Sequence, residues 1–232
     1  MDKKKKIKFS IPNIYDILLA LVGVSFCGIG VGFANCAALG LDSIGIFYDG
    51  IRNILGFSPD MLGVASFIVS GVILVFLFFA SRKYVSFGTL IYILAYGSFV
   101  TVGSLVYNAI IENNTLFIRI VFSILGFLLL YIGLGIYVAI DIGVDAFTGI
   151  VLYLSELTHF EMKYVKIVFD IFLIIIGAIL GGTLGVATFI TMIVGGPLIH
   201  PFSKKFQAIY FKSKLRKELL KKDKNQKMEE NE

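Results

Sequence analysis

Apolar residues fill six long runs along the chain, at 14–36, 61–80, 85–107, 117–140, 164–180 and 187–210, each interrupted by few charges. A helix needs roughly 20 mostly apolar residues to cross about 30 Å of hydrocarbon, so each run predicts a transmembrane helix. Two shorter stretches follow another pattern. In 43–57, Ile44, Phe47, Ile51 and Ile54 recur at helical spacing, with Asp49, Arg52 and Asn53 on other faces. In 146–160 the stripe returns as Phe147, Ile150, Leu154 and Leu157, with Ser155 and Glu156 elsewhere. Both are too short and too polar to span. They predict amphipathic helices at the interface, or re-entrant elements packed inside the protein.

The two halves share a register. Gly30, Gly32, Gly40 and Asp42 return as Gly133, Gly135, Gly143 and Asp145, and the four stripe positions keep the same offset of 103. Further on, Thr89 and Gly97 return as Thr188 and Gly196 at an offset of 99. The expected fold class is therefore an all-α membrane protein of about six transmembrane helices in two three-helix repeats, at 14–110 and 116–211, each with an extra short helix. A basic tail, 1–13, precedes them and a charged tail, 212–232, follows. With three spans per repeat, the second repeat must be inverted relative to the first.

Composition agrees: 57% of residues are hydrophobic and 16% charged, against about 45–50% and about 25% in soluble domains. The first apolar run exceeds the 7–15 residues of a signal-peptide core, so the basic start reads as the cytoplasmic flank of an uncleaved helix. Of the 21 Lys and Arg residues, all but Arg52 and Arg119 fall on one side of the six-span arrangement, which places both termini in the cytoplasm. An eight-span arrangement with parallel repeats gives the same termini, but it buries Asp49 and Arg52 in a short span. The basic, amphipathic end from Phe206 predicts contact with anionic inner-leaflet lipids rather than nucleic acid. Cys27 and Cys36 lie about 13 Å apart along one helix and cannot pair.

Candidate chemistry is sparse. Asp42 and Asp145 each precede a short helix, either as N-caps or as a symmetric pair of carboxylates binding a cation or proton. Asp170 lies inside the fifth run, where a carboxylate is costly unless it faces a bundle interior, and Lys166 one turn earlier is its nearest ion-pair partner. Asn35 is a further polar residue inside the first run. Gly182 and Gly185 break the chain while it is still apolar; unwound backbone there, and the helix starts at Thr89 and Thr188, offer carbonyls to a cation or N–H groups to an anion. The alternative for these residues is a tight turn with a threonine cap. Glu156 and His159 have the spacing of half a metal site, with no second half. No nucleophile–base pair appears, so neither an enzyme nor a cofactor is expected.

Residues 177–199 read GAILGGTLGVATFITMIVGGPLI. This is similar to the signature of bacterial YczE/YyaS/YitT-type membrane proteins, in which a Gly-Gly-x-x-Gly-x-Gly-Thr turn precedes a last helix carrying Gly-Pro-x-Ile; Ala187 departs from that pattern. The Gly-x-Asp stretches at 40–42 and 143–145 also fit. The resemblance covers roughly 18–202, and is to the YczE/YyaS-like branch, since the soluble C-terminal domain of YitT-type members is missing. It implies a multi-pass protein of the bacterial cytoplasmic membrane. Inverted repeats with broken helices lead to the expectation of a small secondary transporter or permease for an unidentified solute or ion, the alternative being a membrane accessory protein that assists a partner. The topology is testable with single cysteines in a chain lacking Cys27 and Cys36: Lys83→Cys should react with an impermeant thiol reagent only from the cytoplasmic side, and labelling from outside selects eight spans.

Overall fold

A computed structural model describes residues 12–229, with backbone alone at 196–198, 200, 211 and 213–229. The basic start Lys3–Lys6, the surroundings of Gly196, and the side chains of His200, Leu215 and Leu219 in the last helix and tail therefore lie outside the described part. The described chain is helical throughout, without strands: α1 (Ile14–Ala37), α2 (Ser43–Ile54), α3 (Leu62–Ala80), α4 (Phe87–Ile110), α5 (Leu116–Ile140), α6 (Ala146–Thr158), α7 (Met162–Ile179) and α8 (Val186–Glu229). Single 3-10 turns precede α3 and α4.

Among the described residues, four helical segments are long and apolar enough to cross a membrane: Ile14–Ala37, Pro59–Ala80, Phe87–Ile110 and Leu116–Ile140. That is two fewer than the six runs predict. α7 has 18 residues but carries Lys163, Lys166 and Asp170, which lower its apolar character. α8 is described as apolar over Val186–Gly195, up to the residues 196–198 whose side chains lie outside the described part, and it continues as one helix to Glu229, past the expected end at Tyr210.

α1 is the centre of the bundle. Ala20, Val24, Cys27, Val31 and Ala34 form a stripe along it that is at most 1% exposed. Its glycines are divided between two neighbours. A Cβ on Gly28 or Gly32 would strike the α4 backbone at Tyr96–Val100 and Val100–Ser104, while Gly23 and Gly30 lie against α5. Small residues at such crossings let helix backbones approach closely, which is how helices associate where no hydrophobic drive exists between them.

The crossing of α1 and α5 is reciprocal. Gly23 lies against the carbonyl of Gly133 and Gly133 against that of Gly23; Gly30 and Gly126 form a second such pair. Positions rise along α1 as they fall along α5, so the two helices are antiparallel. Gly23 and Gly126, like Gly30 and Gly133, are separated by 103, and between the two pairs Cys27 Sγ rests 3.6 Å from the carbonyl of Leu130, also 103 residues away.

The same offset governs the turns after α1 and α5. Ala38 and Asp141 both take the left-handed conformation, at φ 50° and 56°. Gly40, at φ 111°, lies against Gly185 and Thr188 at the start of α8, and Gly143 lies against Ser86 and Thr89 at the start of α4. Each turn therefore seats on the first turn of a helix from the other half of the chain. Gly30→Leu should force the central crossing apart and cost about 1–3 kcal/mol, whereas Gly71→Ala, with open space around its Cβ, should leave thermal unfolding in detergent unchanged or slightly raised.

Candidate functional site

The short helices start in the middle of the bundle and diverge. At their starts, Phe47 of α2 meets Phe147 of α6 with ring centroids 6.2 Å apart, and Tyr48 meets the same ring at 5.5 Å. α2 then runs beside α7, with Ser43 level with Asp170, Gly50 against Gly177 and Asn53 donating to the Gly181 carbonyl. α6 runs the other way along α3, with Gly149 beside Leu77 and Phe76 against Tyr153, to end where Tyr84 donates to Glu156 at 2.8 Å. Glu156, half of the expected metal motif, also pairs with Lys83 and holds that ammonium above its ordinary pKa, chiefly by the hydrogen bond. No group of three His, Cys, Asp or Glu side chains able to hold a metal occurs among the described residues.

Asp42 and Asp145 stand at the two starts. Asp145 caps α6, accepting from the Thr148 amide at 3.0 Å. Asp42 occupies the equivalent position, with its carboxylate against Gly45 but without so well formed a cap bond. Both aspartates are only half-buried, although both lie within electrostatic reach of Cys27, Tyr48 and Tyr96. Asp42 also faces Asp170 and Lys166. Asp170 accepts from Ser43 at 2.9 Å and from Lys166 at 2.9 and 3.1 Å, so the expected i, i+4 pair forms and is joined to the start of α2.

The remaining candidates are engaged elsewhere. Asn35 donates to the Pro59 carbonyl at 2.9 Å, tying α1 to the turn before α3. Thr89, fully buried, completes a capping box with Ser86 and donates to the Val144 carbonyl at 2.7 Å. Thr188 accepts from the Gly185 amide at 3.4 Å, and the Ala187 amide donates to the Leu39 carbonyl at 3.0 Å. The Gly182 amide donates to the Gly177 carbonyl at 2.8 Å. The glycine break thus spends these polar groups inside the protein.

Two features escape a reading of the sequence. Asp49 is 1% exposed. It accepts from the Thr183 amide and hydroxyl, both at 2.7 Å, and from Arg52 Nε at 2.7 Å. An anion does sit at the glycine break, and it belongs to the chain itself. The Asp49–Arg52 spacing of three on one helix was the available signal, but its partner is 134 residues away. The second feature is a tyrosine cluster. Tyr92 stacks on Tyr96 at 5.2 Å, meets Tyr137 edge-on at 5.0 Å, and Tyr96 lies 6.3 Å from Tyr48.

A family model covers residues 14–204. The chain belongs to the family of unknown function DUF6198. An uncharacterized protein of Haemophilus influenzae is 25% identical over 172 residues, spanning 74% of this chain and 76% of that protein. No solved structure matches. For the DUF6198 chain, Asp49→Asn should leave Arg52 buried without its counter-charge and cost about 3 kcal/mol; Asp145→Asn should cost under about 1 kcal/mol, because Asn caps a helix about as well. Thermal unfolding in detergent measures both.

Proposed function

We propose that this protein is a small permease of the bacterial cytoplasmic membrane, with six spans in two inverted repeats and both termini in the cytoplasm. The observation that carries the reading is the meeting of α2 and α6 near their starts, where Phe47 touches Phe147 and where Asp42 and Asp145, one before each helix, are both half-buried. Helices that end inside a membrane protein are tolerated only where the loose backbone is buried or lines a cavity, and paired half-helices near the midplane are how many transporters build a solute site. The antiparallel α1–α5 crossing, in which residues 103 apart exchange the same contacts, supports a two-fold axis perpendicular to those helices and hence an inverted duplication. The resemblance to YczE/YyaS-type proteins supports the membrane and the multi-pass topology.

In this reading α7 and the first part of α8 complete the spans. Two of the charges of α7, Lys166 and Asp170, pair with one another beside the start of α2, where Asp170 also accepts from Ser43, which removes most of the cost of placing either in a bilayer. The accessory-protein alternative is favoured by one observation, the mutual contact of the central tyrosine rings, which fills space a solute would need.

Thiol chemistry separates the two, because a hydrated thiol ionises and its thiolate attacks a methanethiosulfonate, forming a mixed disulfide and releasing methanesulfinate, whereas a thiol in lipid stays protonated and unreactive. In membranes holding the chain without Cys27 and Cys36, Ser43→Cys should react with a water-soluble methanethiosulfonate. Val72→Cys, 66% exposed on the outside of α3, should not. An unreactive Ser43→Cys contradicts the permease reading.

A further inference from the structure

A cleft of about 170 Å³ runs between α5 and α8. Phe127, Tyr131 and Ala187 form its buried floor, while Ile124, Leu128 and Ile190 form a rim that is at least 41% exposed. A water held there would find almost no polar partners. An empty slot would forfeit dispersion contacts all along its walls. In a bilayer the material at hand to fill it is hydrocarbon.

The cleft matches one leaflet in depth. α5 and α8 run parallel along it, with Tyr131 against Gly195 and Gly135 against Phe202. From Ser123 to Tyr131, the span of the lining residues on α5, is about 12 Å at 1.5 Å per residue. Half of the hydrocarbon core is about 15 Å. Arg119 stands one turn before Ser123, in the first turn of α5. It donates from Nε and Nη2 to the carbonyls of Ala37 and Ala38, both at 2.6 Å. A guanidinium has five N–H groups, and among the described residues no carboxylate pairs with this one. The next residue of the same turn, Leu39, accepts from the Ala187 amide, which brings the positive start of α8 near the guanidinium.

We propose that this cleft is a phospholipid site, in which Arg119 binds the phosphate and one acyl chain lies on Phe127 and Tyr131 between α5 and α8. Charge complementarity selects the phosphate, because the planar fork of an arginine matches phosphate oxygens two at a time. The apolar floor beyond it selects a phosphate that carries a chain. The proposal goes beyond the permease reading and needs no transport; it takes from that reading only that the first part of α8 lies in the bilayer.

The test is native mass spectrometry of the full chain in detergent, titrated with dioleoylphosphatidylglycerol. The first lipid should bind at least about tenfold more tightly than the second. Arg119→Gln, and Ile190→Trp, which fills the cleft, should each weaken that first binding at least about tenfold. Val72→Trp, on the outside of α3, should leave it unchanged. Dioleoylglycerol, with the same chains and no phosphate, should bind as weakly as the phospholipid binds to Arg119→Gln. Each variant is first shown to elute and melt as the parent does. If loss of the Ala37 and Ala38 bonds lowers the melting of Arg119→Gln, Ile190→Trp and dioleoylglycerol decide. A first lipid held equally by Ile190→Trp, or dioleoylglycerol held as tightly as the phospholipid, overturns the site. The placement of α8 is read separately. The chain has no tryptophan, so Ile193→Trp, at a position 75% exposed, is a single fluorophore that lipid with brominated chains should quench. Quenching without a distinct first lipid overturns the phospholipid site alone. An unquenched Ile193→Trp overturns both the site and the six-span reading.

Discussion

Close contact between the backbones of α1 and α5 is the constraint on which the rest of the molecule depends. Four glycines in two reciprocal pairs, with Cys27 over the Leu130 carbonyl between them, bring the helices together without intervening side chains. Once this antiparallel crossing exists, α4 fits against the other face of α1 through Gly28 and Gly32, and α8 fits against α5 near Gly135 and Tyr131. The turns after α1 and α5 then have somewhere to seat, each on the first turn of a helix from the opposite half. The starts of the short helices are placed at the centre as a consequence, and the central carboxylates with them.

The short helices share a backbone pattern and differ in their fastening. α2 is held to α7 and the glycine break by polar contacts, from Ser43 to Asp170 and from Asp49 to Thr183. α6 is held to α3 by apolar ones, Gly149 on Leu77 and Tyr153 on Phe76. Asp145 spends its carboxylate on a cap, while Asp42 faces Asp170 and Lys166. Of the two aspartates, Asp42 is thus the one freer to respond to a ligand. A cleft of about 170 Å³ between α5 and α8, lined by Phe127, Leu128, Tyr131 and Ile190 among others, has almost wholly apolar walls.

Much of this was legible along the chain. The apolar runs located the helices, Gly40–Asp42 and Gly143–Asp145 stand just before the two short helices as the spacing predicts, and the two amphipathic stripes fall on those short helices. These are local signals, each carried by residues within a turn or two of one another. What was not legible depends on distant partners. Asp49 reads as the polar face of an amphipathic helix until Thr183 is brought to it, and Tyr48, Tyr92, Tyr96 and Tyr137 read as ordinary apolar positions until three helices place them together. Gly182, Gly185 and Thr188 illustrate the converse. Their exposed backbone groups suggested a ligand, and the fold supplies Asp49, Leu39 and Gly177 in its place.

A central site exists only if the two short helices begin beside one another. Cysteines introduced as Phe47→Cys and Phe147→Cys, in a chain without Cys27 and Cys36 and with a protease site inserted within 111–115, measure this directly in native membranes. A short bis-maleimide should join the halves, so that they migrate as one species after cleavage. If α2 and α6 instead lie on opposite surfaces of the bilayer, about 30 Å of hydrocarbon separates them, the halves part on cleavage, and the central site does not exist.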